Sequence, residues 1–141
     1  MSQDDASIRD LVARYADAVN RRDREAWAAT WNEDSEWNLR GQPIKGRDAI
    51  VGLWSNLMGS LPFVVQLIHS GTVEVKGDTA TGRWYLTEYM TTAEGQGRMG
   101  VGVYRDVYSR TGGTWRFAVR RYDLLYNGPT DLSGETSPFP A

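Results

Sequence analysis

The chain has 141 residues, a formal net charge of −2, six Trp, seven Tyr and a single histidine. It contains no cysteine, which excludes disulfides and a cysteine nucleophile, and one imidazole is too few for a metal site built on several histidines. The slight negative charge argues against nucleic acid and anionic membranes as partners, and small neutral or apolar organic molecules remain open as ligands.

The N-terminus predicts a cytoplasmic protein with a helical start. MSQDDASIRD is acidic and polar, unlike a cationic signal peptide, and no apolar run approaches the roughly 20 residues of a membrane helix. From Ile8 to Val19 apolar residues recur at spacings of three and four, which predicts a helix with one buried stripe. Ser7, followed by Asp10, is the predicted capping residue of that helix.

Two shorter helices are predicted next. Asp23 is a suitable N-cap for a second helix that carries Trp27 and Trp31 on one face and ends near Asn32. A third helix is predicted over residues 48–57, followed by the helix-terminating residues Gly59 and Pro62. The segments SEWNLR and QPIK, separated by Gly41, read as short extended pieces between them.

From residue 63 onward the composition predicts strands rich in β-branched and aromatic residues. The predicted strands are VVQLIH, TVEVK, TATGRWYLTEYM, GRMGVGVYRDVYSR and TWRFAVRRYDLLY, separated by turn signals such as GD, EGQG and TGG. A Ser-Gly turn signal also follows His69. This order predicts an α+β fold with helices on one face of a curved, mainly antiparallel sheet. We expect one domain over residues 1–126 and an irregular tail over residues 127–141.

The order of helices, "WNEDSEWNLRGQPIKGRDAIVGLW", "IHSGTVEVKGDTATG" and "GTWRF" resembles the SnoaL-like branch of the NTF2-like superfamily. Within that branch the chain is most similar to the group of scytalone dehydratase, bile-acid 7α-dehydratase and hexachlorocyclohexane dehydrochlorinase. The resemblance implies a cone-shaped barrel, an apolar pocket and a homodimer. It also implies elimination chemistry by a His-Asp pair without a cofactor.

His69 takes the place of the family histidine, and counting back from the tryptophan of the "WxxDxEW" segment places Asn20 where the family carries aspartate. Asparagine can orient an imidazole but cannot stabilise its charged form. The alternatives are a half-buried strand histidine and an asparagine that suits a helix C-terminus. Tyr15, which lies in the apolar stripe, is either a core residue or a hydrogen-bond donor to the substrate.

The aromatic and basic residues supply the expected pocket lining. Trp27, Trp31, Trp54 and Tyr104 are read as core residues that can also form the pocket wall. Family position favours Arg120 as a pocket residue, whereas strict strand alternation places Arg121 on the apolar face. Both remain candidates.

Three carboxylates, Glu88, Asp106 and Asp123, fall within otherwise apolar strands and are either paired surface charges or replacements for the missing base. A set of Asp106, Arg98 and Asp123 with Arg120 resembles the residue types of limonene epoxide hydrolase. The expected function is cofactor-free elimination, isomerisation or cyclisation of a polyketide-, terpenoid- or steroid-like molecule. The alternatives are a non-catalytic binding protein and an epoxide hydrolase.

Overall fold

The computed structural model describes residues 2–140, which form three helices and six strands within that range. The helices are α1 (Gln3–Arg21), α2 (Arg24–Ala28) and α3 (Arg47–Gly59). The strands are β1 (Trp31–Leu39), β2 (Gln42–Lys45), β3 (Phe63–Lys76), β4 (Thr79–Thr91), β5 (Gly97–Thr111) and β6 (Thr114–Pro129). The helices pack on one face of the sheet, which is called the interior face below.

Helix α1 begins about one turn before the predicted start. Its N-cap is Ser2 rather than Ser7, because the Ser2 side chain accepts a hydrogen bond from the Asp5 backbone N–H at 3.1 Å. The S-x-x-D pattern occurs at both serines, and only Ser2 has the extended backbone that an N-cap needs. The helix ends at Arg21, and the C-cap Arg22 has a left-handed backbone (φ 57°) and donates its N–H to the carbonyls of Ala18 and Val19.

Helix α2 is capped by Asp23 as predicted, but it is shorter than expected. It ends at Ala28, and Trp31 is the first residue of β1 instead of the last turn of a helix. Trp31 lies beside Phe117 in a parallel pairing with β6, and the Phe117 N–H donates to the Thr30 carbonyl at 2.9 Å. This long-range pairing overrides the local helical spacing of the two tryptophans.

The six strands form one mixed sheet in the order β2-β1-β6-β5-β4-β3. The β1–β6 pair is parallel and the other four pairs are antiparallel. The sheet is not closed, because β2 and β3 form its two edges. Helix α1 packs mainly against β3, and α3 packs against β1. The predicted α+β architecture, with helices on a mainly antiparallel curved sheet, is confirmed.

The strand β3 is continuous through the Ser-Gly signal that was read as a turn. A β-bulge lies there, because His69 and Ser70 together face Tyr85 on β4. A Cβ atom at Gly71 would overlap the ring of Trp84, so the position next to the bulge requires glycine.

The last strand also extends further than predicted. β6 runs to Pro129, so residues 127–129 of the expected tail pair with the start of β5. The segment 130–140 is irregular, and Ala141 lies outside the described residues.

Candidate active site

A β-bulge in β6 decides which arginine reaches the interior face. The pairing of β6 with β5 shifts at Ala118, the extra residue of the bulge. Because of this residue, Phe117 and Arg120 share a face although an odd number of positions separates them. Arg120 is fully buried and Arg121 is exposed. Strict alternation, which favours Arg121 as the inward residue, is therefore wrong for this strand.

Arg120 forms a buried ion pair with Asp106. Its Nε donates to Asp106 Oδ1 at 3.0 Å, and both side chains have no solvent exposure. The second oxygen of Asp106 accepts a hydrogen bond from the Tyr108 hydroxyl at 2.7 Å, and Trp84 Nε1 donates to that hydroxyl at 2.9 Å. Burial raises the pKa of Asp106 to about 6, although Arg120 and Tyr108 act to lower it.

Aromatic rings enclose the guanidinium of Arg120. Its carbon lies 3.5 Å from the ring centre of Tyr104 and 4.3 Å from the ring centres of Tyr15 and Phe117. These contacts are cation–π interactions in a desolvated setting. Both terminal nitrogens, Nη1 and Nη2, are buried and find no hydrogen-bond partner among the described residues. A charged donor pair thus lies inside the fold without an acceptor.

Tyr15 lies at the centre of the buried aromatic cluster. Its ring contacts those of Trp27, Trp31, Tyr104 and Phe117, at centroid distances between 5.4 and 6.2 Å. Burial raises the pKa of Tyr15 to about 12, so the hydroxyl stays protonated at neutral pH.

The predicted tryptophans are all part of the buried core. Trp27 stacks on Trp54 at 4.6 Å with nearly parallel rings. The indole N–H groups of Trp27, Trp31 and Trp37 are buried without a partner among the described residues. These residues therefore present further unused donors inside the fold.

Asn20 bonds to the backbone of β3 rather than to a histidine. Its Nδ2 donates to the Gln66 carbonyl at 3.0 Å, and its Oδ1 accepts from the Gln66 N–H at 2.7 Å. These two bonds tie the end of α1 to the middle of β3. The Gln66 side chain points inward, where its Nε2 donates to the Tyr104 hydroxyl at 2.9 Å.

The expected placement of His69 in the pocket is wrong. The residue is exposed, on the face of the sheet opposite the helices, and its Nε2 lies 2.8 Å from Thr87 Oγ1. Alternation along β3 explains the direction, since Val64 and Gln66 are buried on the interior face and His69, the first residue of the bulge, continues the outward-facing odd-numbered positions. His69 is thereby separated from Asn20 and Tyr15, with which it was expected to act.

The members of the hydrolase-like set also lie on different faces of the sheet. Asp123 is paired with Arg105 on the outer face, and Arg98 bonds to Asn127 at the surface. Of the hydrolase-like set, only Asp106 and Arg120 come together.

Glu88 faces the interior with Tyr122. The Tyr122 hydroxyl donates to Glu88 Oε1 at 2.7 Å, and the Tyr122 ring packs over Gly102, where a Cβ would overlap it. Burial raises the pKa of Glu88, opposed by Tyr122, Gln66 and Arg120.

Within residues 2–140, no group of three or more acidic, histidine or cysteine side chains is arranged to hold a metal ion. No helix in this part of the chain is long and apolar enough to cross a membrane.

Comparison with known proteins identifies the family. A family profile described as "SnoaL-like domain" matches residues 1–121. The chain belongs to the SnoaL-like family. The gamma-hexachlorocyclohexane dehydrochlorinase of Sphingobium indicum is 31% identical to this SnoaL-like chain over 130 residues, which cover 88% of the chain and 82% of that enzyme. That relative is named for lyase chemistry, and the family therefore includes lyases.

Solved structures show the same fold. A type 2 hexachlorocyclohexane dehydrochlorinase (LinA) superposes with a TM-score of 0.86 at 23% identity, covering 94% of this SnoaL-like chain and 93% of that one. A protein of unknown function from Mycobacterium tuberculosis superposes with a TM-score of 0.76 at 32% identity, covering 84% of this chain and 70% of that one. The NTF2-like fold is therefore shared across relatives with different descriptions.

Sequence reasoning missed several residues of this SnoaL-like interior. Gln66, Tyr108 and Tyr122 all form buried or half-buried hydrogen bonds at the site. For Gln66 a signal was present, because it alternates with Val64 on a strand face that must be buried. For Tyr122 no local signal exists, since the bulge at Ala118 sets its direction.

Proposed function

We propose that this SnoaL-like protein is a cofactor-free lyase- or isomerase-type enzyme that acts on a small, largely apolar molecule bearing a carbonyl oxygen. The observation that carries the proposal is the buried Arg120 guanidinium, whose two terminal nitrogens have no acceptor among the described residues. Donors fixed in a low-dielectric site stabilise negative charge as it develops on an oxygen. An enolate formed next to Arg120 is such a charge.

The aromatic residues around Arg120 support this assignment. Tyr15 and Tyr104 flank the guanidinium, and burial keeps both phenols protonated because it raises their pKa values well above neutrality. They are therefore donors and not bases at neutral pH. Trp27, Trp31 and Trp54 belong to the same buried core as these two tyrosines and make the surroundings of the guanidinium apolar.

The test uses a substrate that reports elimination directly. β-Hydroxycyclohexanone and β-chlorocyclohexanone both yield cyclohexenone, whose ultraviolet absorbance follows the reaction. We expect wild-type turnover to persist in the presence of a chelator. We also expect Arg120→Met to lower kcat by about 10²–10³-fold, the usual effect of removing an oxyanion donor.

Two further variants separate chemistry from folding. Arg121→Met removes the neighbouring, exposed arginine and leaves the interior untouched, so it should keep wild-type kcat. Arg120→Lys keeps a positive charge for Asp106 and should retain a larger share of activity than Arg120→Met. Equal activity of Arg120→Met and wild type, with both folded, would contradict the proposal.

A non-catalytic binding protein is the second candidate. It is favoured by Asn20, which lacks the charge of the family aspartate. Both the amide nitrogen and the amide oxygen of Asn20 are hydrogen-bonded to the backbone of Gln66. In that case the ketones should quench tryptophan fluorescence on binding, and no cyclohexenone should form. The homodimeric state and the cytoplasmic location stay predictions, and light scattering of the purified protein tests the first of them.

A further inference from the structure

The interior needs a group that takes a proton, and His69 lies on the other face of the sheet. Glu88 is on β4, where it alternates with the buried residues Trp84 and Leu86 and therefore faces the helices. Unlike those two residues, Glu88 is only half-buried. It is therefore a carboxyl on the interior face of the sheet.

The neighbours of Glu88 join it to the proposed site. Its pairing partner across β3 is Gln66, and Gln66 bonds to the hydroxyl of Tyr104, whose ring lies over Arg120. Tyr122, which donates to Glu88, has its ring 5.2 Å from that of Tyr104. Glu88 and Arg120 thus lie at two ends of one short chain of contacts.

The other titratable groups of the interior are already occupied. Both oxygens of Asp106 accept hydrogen bonds, from Arg120 and from Tyr108, and its side chain is fully buried in the ion pair. Burial raises the pKa of the Tyr15 phenol to about 12, so this group keeps its proton at neutral pH. Glu88 accepts a hydrogen bond from the Tyr122 hydroxyl on Oε1, and Gln66 also acts on its carboxylate.

We infer that Glu88 is the proton-transferring catalytic residue of this site and that Tyr122 is its positioning residue. The inference rests on the proposed function. The Glu88 carboxylate removes a proton from the carbon next to the substrate carbonyl. The electrons of the broken C–H bond form the enolate, whose oxygen lies at Arg120. The enolate expels the β-hydroxyl as a C=C bond forms, and Glu88 returns its proton to that leaving group, which departs as water.

The charges around Glu88 favour such a role. The groups that face it are Tyr122 and Arg120 on β6, Tyr104 on β5, Gln66 on β3 and Tyr15 on α1, with Arg40 acting on Tyr122 from the β1–β2 turn. Burial raises the pKa of Glu88, and the hydrogen bond from Tyr122 opposes that rise. A carboxyl whose pKa lies above its ordinary value is a stronger base once ionised.

The experiment measures proton abstraction separately from elimination. Exchange of the α-protons of cyclohexanone in D₂O, followed by NMR, needs a base and an oxyanion donor but no leaving group. We expect Glu88→Gln to lower both this exchange and kcat for β-hydroxycyclohexanone by about 10²–10⁴-fold with little change in KM. Glu74→Gln, an exposed glutamate of β3, is the matched control and should behave as wild type.

The pH profile tests Tyr122. The acidic limb of the exchange rate should follow the ionisation of Glu88, and Tyr122→Phe should move that limb to higher pH because it removes a donor to the carboxylate. Glu88→Asp keeps a carboxylate and should retain an acidic limb at reduced rate, which separates loss of the base from loss of the fold.

The outcomes distinguish the two proposals. If Arg120→Met loses turnover while Glu88→Gln keeps it, the proposed function stands and the assignment of Glu88 is overturned. An acidic limb that does not move in Tyr122→Phe overturns the role of Tyr122. If wild-type protein neither exchanges nor eliminates, the proposed function fails, and the assignment of Glu88 fails with it.

Discussion

Strands β5 and β6 carry two arginine–aspartate pairs, one on each face of the sheet. Arg120 and Asp106 meet on the interior face at 3.0 Å with 0% exposure of either side chain. Arg105 and Asp123 meet on the outer face at 2.8 Å, with exposures of 54% and 39%. Residue types, strands and distances are nearly matched, so burial is the main difference between the pairs. Only the interior pair has desolvated charge available for chemistry.

The largest expected effect is on folding stability. Arg120→Met leaves Asp106 buried without its countercharge, which typically costs about 3–5 kcal/mol in the free energy of unfolding. Arg105→Met, the matched change on the outer face, should cost less than about 1 kcal/mol because water screens that pair. Urea unfolding of both variants measures the contrast.

A double variant sharpens this result. Replacing both partners, with Arg120→Met and Asp106→Leu, removes the uncompensated charge and should recover most of the lost stability. Equal losses of stability in Arg120→Met and Arg105→Met would show that burial does not make the two pairs differ in energy.

The contrast should also depend on pH. Burial raises the pKa of Asp106 to about 6 from 3.8. A carboxyl with a higher pKa in the folded protein contributes stability at low pH and loses it as pH rises through the folded value. Without Arg120 the pKa of Asp106 rises further, so the folding stability continues to fall to a higher pH.

The stability difference between wild type and Arg120→Met should therefore widen above about pH 6, by up to ~1.4 kcal/mol per pH unit. Urea unfolding across neutral pH measures it. The difference between wild type and Arg105→Met should stay constant, and a constant difference for both variants would contradict the assigned burial effect.

A smaller effect is expected at the junction of α1 and β3. Asn20→Ala removes both hydrogen bonds to Gln66 and leaves two backbone groups without partners, which should cost about 1–3 kcal/mol. Asn127→Ala, at an exposed asparagine, is the control and should change stability by less than about 0.5 kcal/mol. Thermal unfolding of the two variants measures how much the Asn20 hydrogen bonds stabilise the junction of α1 and β3.

The smallest effect is expected for the only histidine. His69→Gln removes an exposed ring that contacts Thr87, so stability should change by less than about 0.5 kcal/mol and kcat should not change. Turnover of β-hydroxycyclohexanone by the variant checks this. A loss of about 10²-fold or more would mean that the imidazole acts in the interior after all.

Several helix and turn features depend on local signals and could be predicted. The apolar stripe of α1, the Asp23 cap and the turns at the GD and TGG signals follow from the side chains and glycines at those positions. The end of α2 was not predictable in this way. Trp31 continues a helical spacing, and only its pairing beside Phe117 places it in a strand.

By itself, the sequence determined the α+β fold and the presence of an aromatic interior, because periodicity and composition are properties of neighbouring residues. It also supplied the candidates Tyr15, Arg120, Asp106 and Glu88 as residue types. Only the tertiary structure decided which of them share a face. The reason is that one extra residue in a strand reverses every later side chain, and such bulges depend on pairing with a neighbouring strand.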